Sequence, residues 1–266
     1  MNLNFVIEHW KEHQERDLKK SIEAWDVGAE NFSRKKVDKE NDPFLKLLRD
    51  KAGLSKDKTV LDVGCGAGQY DVLIAPEVKK VVAADFSPEM LKHAKNLAEE
   101  KNITNIEFRE CDWWHADTSD LKGKFDIAFA KTAPAIRDYE TFMKLNDATV
   151  GYGFVTKTTR RTDSVADELR EMAGLKGEVQ DDSIGYMFDA LWALGYRPEL
   201  HYYEVENLIR RSLDTAKGWY LSRIEACAEI DEKTHKAIEK RIEDLCIDGV
   251  VEETMKTVMA TIYWHK

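Results

Sequence analysis

The chain has only four cysteines, Cys65, Cys111, Cys227 and Cys246, and no two of them fall in a C-x-x-C pair or at metal-ligand spacing. Reduced, partly buried thiols are the expectation, and no metal site is read from them. Basic residues are not in excess either: 40 Lys and Arg stand against 50 Asp and Glu, a net charge of −10. An acidic chain is a poor partner for phosphate backbones, which leaves only a local basic groove for nucleic acid. No apolar run approaches the roughly 20 residues of a membrane-spanning helix. The N-terminus lacks the basic, apolar and small-residue order of a signal peptide, and no repeat or low-complexity segment appears. The expectation is a soluble, cytoplasmic protein without a membrane partner. At 266 residues it forms one large domain or a domain with a cap.

What is present is organised around Thr59–Tyr70, reading T-V-L-D-V-G-C-G-A-G-Q-Y. Val60-Leu61-Asp62-Val63 reads as a buried parallel strand. Gly64, Gly66 and Gly68 follow at alternate positions, where glycine lets a ligand or another backbone approach closely. A strand that ends in such a turn and feeds a helix presents backbone N–H groups at its carboxyl end, where open α/β sheets bind ligands. A bare strand-to-helix turn is the alternative. The order D-x-G-x-G-x-G differs from the G-x-G-x-x-G of dinucleotide sites, which argues against a nicotinamide-dependent oxidoreductase.

Downstream, Lys80–Ala84 reads as a second strand ending at Asp85, an acid placed either to accept from a ribose diol or to cap the turn. Ser87-Pro88-Glu89 starts a helix whose apolar face includes Met90 and Leu91. Asn105–Glu110 alternates as a third strand and runs into Cys111-Asp112-Trp113-Trp114-His115. Lys124–Ala130 is a fourth strand, leading into Lys131-Thr132-Ala133-Pro134. Gly151–Thr158, Leu200–Val205 and Thr257–His265 complete the set of strands. Helices are expected near 42–53, 139–149, 162–174, 183–194, 213–229 and 234–247, and a surface helix with a narrow buried stripe before residue 41.

The ordered set V-L-D-V-G-C-G-A-G, Asp85, Asp112-Trp113 and F-D-I-A-F-A resembles the class I S-adenosylmethionine (SAM)-dependent methyltransferases over about residues 44–206 plus the final strand. That resemblance implies an α/β, doubly wound, mostly parallel seven-stranded Rossmann-like sheet with helical additions. It implies SAM as cofactor, held by Asp62, Gly64, Cys65, Gly66, Gly68, Asp85, Phe86, Met90, Asp112, Trp113 and Ala130. Asp85 would take the ribose, Asp112 the adenine amino group, and Phe86 and Met90 would line the adenine pocket. The family's methylases of nucleic-acid bases carry [DNS]-P-P-[YFW] after the fourth strand; Thr132-Ala133-Pro134-Ala135 lacks both the polar head and the aromatic. A small-molecule acceptor is therefore expected, and nucleic acid is not favoured. A SAM-binding regulator or partner subunit without transfer activity is the alternative.

Candidate catalytic groups are His115, as a general base or a structural group, with Lys131 and Tyr70 beside the same pocket. Trp25, Tyr186, Tyr202 and Trp219 are candidate wall or lid groups. Arg160 and Arg161 stand either toward an anionic substrate or beside Asp163 and Asp167 at the surface. His9 and His13, four apart, have no third ligand and read as a solvated face. The expected organisation is an N-terminal helical cap over 1–41, the SAM-binding core over 42–206, a helical insertion or lid over 207–256, and the last core strand over 257–266.

Overall fold

A computed structural model describes residues 3–11, 18–34, 36–175, 183–225 and 227–266, so His13 lies outside the described residues. The chain divides into two compact units. The first holds Met1–Lys157, Asp182–His201 and Ala260–Lys266; the second holds Thr158–Asp181 and Tyr202–Met259.

In the first unit, β1 (Thr59–Val63), β2 (Lys80–Asp85), β3 (Ile106–Glu110), β4 (Phe125–Lys131) and the start of β5 (Thr149–Asp163) pair in parallel. Val60 sits opposite Val81 on one side and Ile127 on the other. The strand order is β3-β2-β1-β4-β5-β8-β6, with β6 at Glu199–Ser212 and β8 at Val250–His265. Gly151 meets Lys266, Thr156 meets Thr261 and Thr159 meets Val258. Partners descend along β8 as they ascend along β5, so these two strands are antiparallel. The chain leaves β1 in one direction and returns to β4 on its other side. This reversal makes a crevice at the carboxyl ends of β1 and β4, the switch point at which such sheets bind ligands.

Local chemistry sets the helices around that edge. In α3 (Pro43–Ala52), Asp42 caps the Leu45 N–H at 2.9 Å and Pro43 takes the first turn. The helix buries Phe44, Leu45, Leu47 and Leu48 against Val60, Ile127 and Phe129. In α5 (Pro88–Glu100), Ser87 caps the Met90 N–H at 3.1 Å. On the opposite face of the sheet, α6 (Tyr139–Ala148) packs Phe142 and Leu145 into a cluster with α8 (Ser183–Ala193) and Trp264.

The structure differs from the sequence expectation in three places. The N-terminal segment forms two helices, α1 (Leu3–His9) and α2 (Leu18–Ser33), and Val6 and Trp10 are buried, Trp10 lying 5.7 Å from Phe142. The helix after the glycine turn, by contrast, ends before Pro76 as the sequence requires: α4 (Asp71–Ile74) gives way to a 3₁₀ turn at Ala75–Glu77. Strand structure reaches further than the pattern suggested: residues 207–212 and 250–256, expected in a helical insertion, belong to β6 and β8. The last insertion helix stops early. The second unit carries α7 (Ala166–Met172), α9 (Leu213–Glu225) and α10 (Glu232–Asp244), and the expected helical end at Ile247 is instead β7 (Cys246–Ile247), paired with β8. Asp248 and Gly249 turn that hairpin with φ of +52° and +79°, as a two-residue Asp-Gly turn demands.

Candidate active site

The glycine turn leaves β1 with Gly64, Gly66 and Gly68 at φ of +78°, +55° and +78°. A Cβ on Gly64 would stand 2.4 Å from the Ala133 methyl, and one on Gly68 would stand 2.8 Å from that of Ala94. The loop is thus clamped between the segment after β4 and α5, and side chains other than hydrogen are excluded there. Its N–H groups are organised by Asp85. One Asp85 oxygen accepts from Gly66 at 2.9 Å and the other from Ser87 at 2.9 Å. Each carboxylate oxygen has a second lone pair, which suits a diol.

Beneath the loop lie two buried acids. Asp62 is 3% exposed and Asp71 fully buried, and Asp62 Oδ1 and both Asp71 oxygens lack any hydrogen-bond donor among the described residues. Burial drives both carboxyl groups toward the protonated form. For Asp62 the charges of Asp71 and Asp85 add to burial, against Lys131; for Asp71 the pKa rises to about 7. The Cys65 thiol is pushed up by burial and then by Asp71, so it is no nucleophile. Lys131 holds its ammonium 4.6 Å above the Tyr70 ring, and the Tyr70 hydroxyl donates to Asp42 at 2.9 Å. These two candidates for proton transfer are thus each engaged by a neighbouring side chain.

Beside Asp85 is a hollow lined by Val63, Gly64, Phe86, Asp112, Trp113, Trp114 and Ala135. Trp113 is anchored, its indole N–H donating to the Thr141 carbonyl at 3.0 Å. Trp114 donates to the Pro134 carbonyl at 3.1 Å and carries the Arg137 guanidinium 3.6 Å over its ring. His115 contacts an Asp112 oxygen through Nδ1 at 2.6 Å, and its side chain is 64% exposed. It stands on the rim, paired to the acid expected to read adenine. Ala130 is buried in the core and does not line the hollow. Met90 is likewise buried, packed with Ala29, Ala67, Trp25 and Phe32.

That last cluster answers what the N-terminal aromatics cover. Helix α2 lies over the loop and α5: Ser87 Oγ donates to Asp26 at 2.5 Å, and the Gln69 amide donates to the Phe32 and Ser33 carbonyls. Tyr186 stacks on Trp10 at 6.0 Å and serves the core. Two residues that shape the crevice escaped sequence reasoning. One is Asp71, which opens α4 and is fully buried. The other is Lys144, on α6, which donates to the carbonyls of Trp113, Trp114 and Ala116, each at 3.0 Å, and so holds the loop after β3. No sequence signal marks a contact made across about thirty residues.

The profile of a family described as a methyltransferase domain matches residues 54–192, more than half of the chain. The chain belongs to that methyltransferase family. An uncharacterized RNA methyltransferase of Clostridium tetani is 40% identical over 62 residues, 23% of this chain and 14% of that protein. A 23S rRNA (uracil(1939)-C(5))-methyltransferase of Francisella tularensis is 30% identical over 84 residues, 31% of this chain and 19% of its own length. The chain thus spans less than a fifth of the length of these curated relatives. Among solved structures, a candidate methyltransferase from Bacillus halodurans superposes with a TM-score of 0.54 at 16% identity, covering 84% of this chain and 98% of that one. Geranyl diphosphate C-methyltransferase from Streptomyces coelicolor gives 0.51 at 15% identity, covering 94% and 98%. At such identities the likeness is one of fold.

The residues present fit SAM, the cofactor of this methyltransferase class. The ligand is cationic at sulfur and at its amino group, and the crevice floor holds buried carboxylate oxygens without donors. Its ribose needs paired acceptors at the end of β2, where Asp85 stands. Among the described residues no cluster of His, Cys, Asp and Glu could hold a metal ion, and no helix is long and apolar enough to cross a membrane.

Proposed function

We propose that this chain transfers the sulfonium methyl of SAM to a small-molecule acceptor. The observation that carries the cofactor half is the pair Asp62 and Asp71, buried without donors below a loop clamped open by glycines. In this reading SAM supplies an electrophilic methyl on a leaving group that is already good. The chain's own residues orient and shield. Gly66 and Ser87 aim the Asp85 carboxylate, which would take the ribose hydroxyls. Asp112, held in place through Lys144 and the Trp113 anchor, would accept from the adenine amino group. Phe86, Trp114 and Ala135 line the hollow and would shield a bound ligand from water. Holding a nucleophile in line is worth roughly 7–11 kcal/mol of the barrier. A base is needed only where the acceptor must lose a proton, and His115, on the rim with Asp112 behind it, is the group able to take one.

Two observations favour a small acceptor. The net charge is −10, and the segment from Lys131 to Ala135 has no polar-aromatic clamp for a flipped base. The names of the curated relatives support RNA as a second reading, over a short aligned stretch. Incubation with methyl-labelled SAM and either a metabolite extract or total RNA separates the two. Label in the small-molecule fraction is expected. Label in RNA alone would replace the acceptor assignment, and SAM binding without label in either would leave a non-catalytic SAM-binding protein.

A further inference from the structure

The second unit contains a cavity of about 520 Å³ that the methyl-transfer reading does not use. Its volume lies in the range of roughly 300–1,000 Å³ that small-molecule sites occupy. Its lining includes the apolar residues Leu169 and Ile224, both buried, and Trp219. The lining also includes three arginines, Arg161, Arg170 and Arg223, and two acids, Asp163 and Asp167. A cationic majority is unexpected in a chain of net charge −10.

The two carboxylates are already committed. Asp163 receives Arg161 Nε through both oxygens, at 3.1 and 2.8 Å, and Asp167 accepts the Asp163 backbone N–H at 2.7 Å. Arg170 and Arg223 have no carboxylate partner among the described residues, and only Nε of Arg161 is used by Asp163. Arg223 lies 4.2 Å from the Trp219 ring centre and Arg211 lies 4.0 Å from it. Two guanidiniums that close must occupy opposite faces of the indole. Arg211 is itself locked to buried Glu253 at 2.9 Å and to the Tyr220 hydroxyl at 3.2 Å. Trp219 is therefore a fixed post that orients Arg223, and its edge, not its face, meets the cavity.

We propose that this cavity binds a small amphiphilic anion, its carboxylate or phosphate head on Arg170 and Arg223 and its apolar body against Leu169 and Ile224. Guanidinium forks match both head groups and keep their charge at every working pH. The apolar lining adds affinity that a bare inorganic anion cannot gain. The site is independent of the methyl-transfer assignment, since none of its residues lies in the SAM crevice.

Calorimetric titration of the full chain tests it, with decanoate and decyl phosphate as probes and decyltrimethylammonium and inorganic phosphate as controls. One alkyl anion per chain is expected to bind, and R170Q and R223Q are each expected to weaken it about tenfold or more. Preference for decanoate or for decyl phosphate identifies the head group, and either supports the site. Arg223 is exposed, so R223Q keeps the test valid should R170Q fail to fold, and unchanged SAM affinity in R223Q confirms an intact first unit. Three results would each overturn the proposal: no binding of either alkyl anion, equal binding of the cationic or inorganic control, or unchanged affinity in both variants.

Discussion

Replacing Asp71 by Asn should make the ligand-free protein more stable at neutral and alkaline pH while weakening its hold on SAM. Asp71 is fully buried, lacks donors, and faces a second acid. Its pKa rises from 3.8 to about 7. A raised carboxyl pKa means that the folded chain keeps a proton which the unfolded chain has released. Stability from this group is then complete below pH 4 and is lost as pH climbs through about 7. At about 1.4 kcal/mol per unit, the whole shift is on the order of 4 kcal/mol, and roughly a third of it falls between pH 6 and 8.5. Asn carries no charge to neutralise and offers an amide donor to Asp62. Urea unfolding of wild type and D71N at pH 6, 7 and 8.5 measures the difference. Wild type should lose stability over that range, D71N should change less, and D71N should be the more stable protein at pH 8.5. Titration of wild type with SAM in phosphate and in Tris should show proton release, because a bound cation lowers the pKa of the pair. D71N should release less and bind at least about tenfold more weakly. Parallel pH dependence in the two proteins, or a D71N less stable than wild type at pH 8.5, would refute the reasoning.

Asp85→Asn should keep the fold, since the amide oxygen still accepts one loop N–H, yet reduce SAM affinity about a hundredfold through two weakened charge-assisted bonds. Unchanged affinity in calorimetry would remove the ribose assignment. Gly66→Val places a β-branched residue at φ +55°, at a cost of about 1–2 kcal/mol, and sets its side chain where a ligand approaches the loop; SAM binding should vanish while the far-ultraviolet spectrum is kept. Glu253→Ala should destabilise the second unit by about 3–5 kcal/mol, because it strands the Arg211 guanidinium, only 12% exposed, without its partner. Limited proteolysis should then cut within 202–259 first, and a protease-resistant variant would show that the pair contributes little.

Much of the first unit is legible in the sequence because its signals are local. The strand–glycine–helix turn, the caps at Asp42 and Ser87, and the acid closing β2 all act within a few residues of themselves. Hydrophobic runs likewise identify the central strands, which are buried on both faces. The far end of the chain reads less well. There β6 is a long strand at the edge of the sheet, with alternating exposure and charges along it, and the polar residues after Val205 hide its continuation.

From sequence alone came the family resemblance, the succession of the first strands along the chain and the candidate cofactor residues, since the motifs are contiguous and their spacing is set by strand and turn lengths. Only the tertiary structure decided which of those residues work together. It set Asp62 against Asp71 without a donor, hung the Asp112 loop on Lys144, laid α2 over Ser87 through Asp26, and gathered three arginines around a cavity in the second unit. Each of these depends on groups brought together by packing and removed from water. Burial gives such contacts their energy, and no window of sequence contains it.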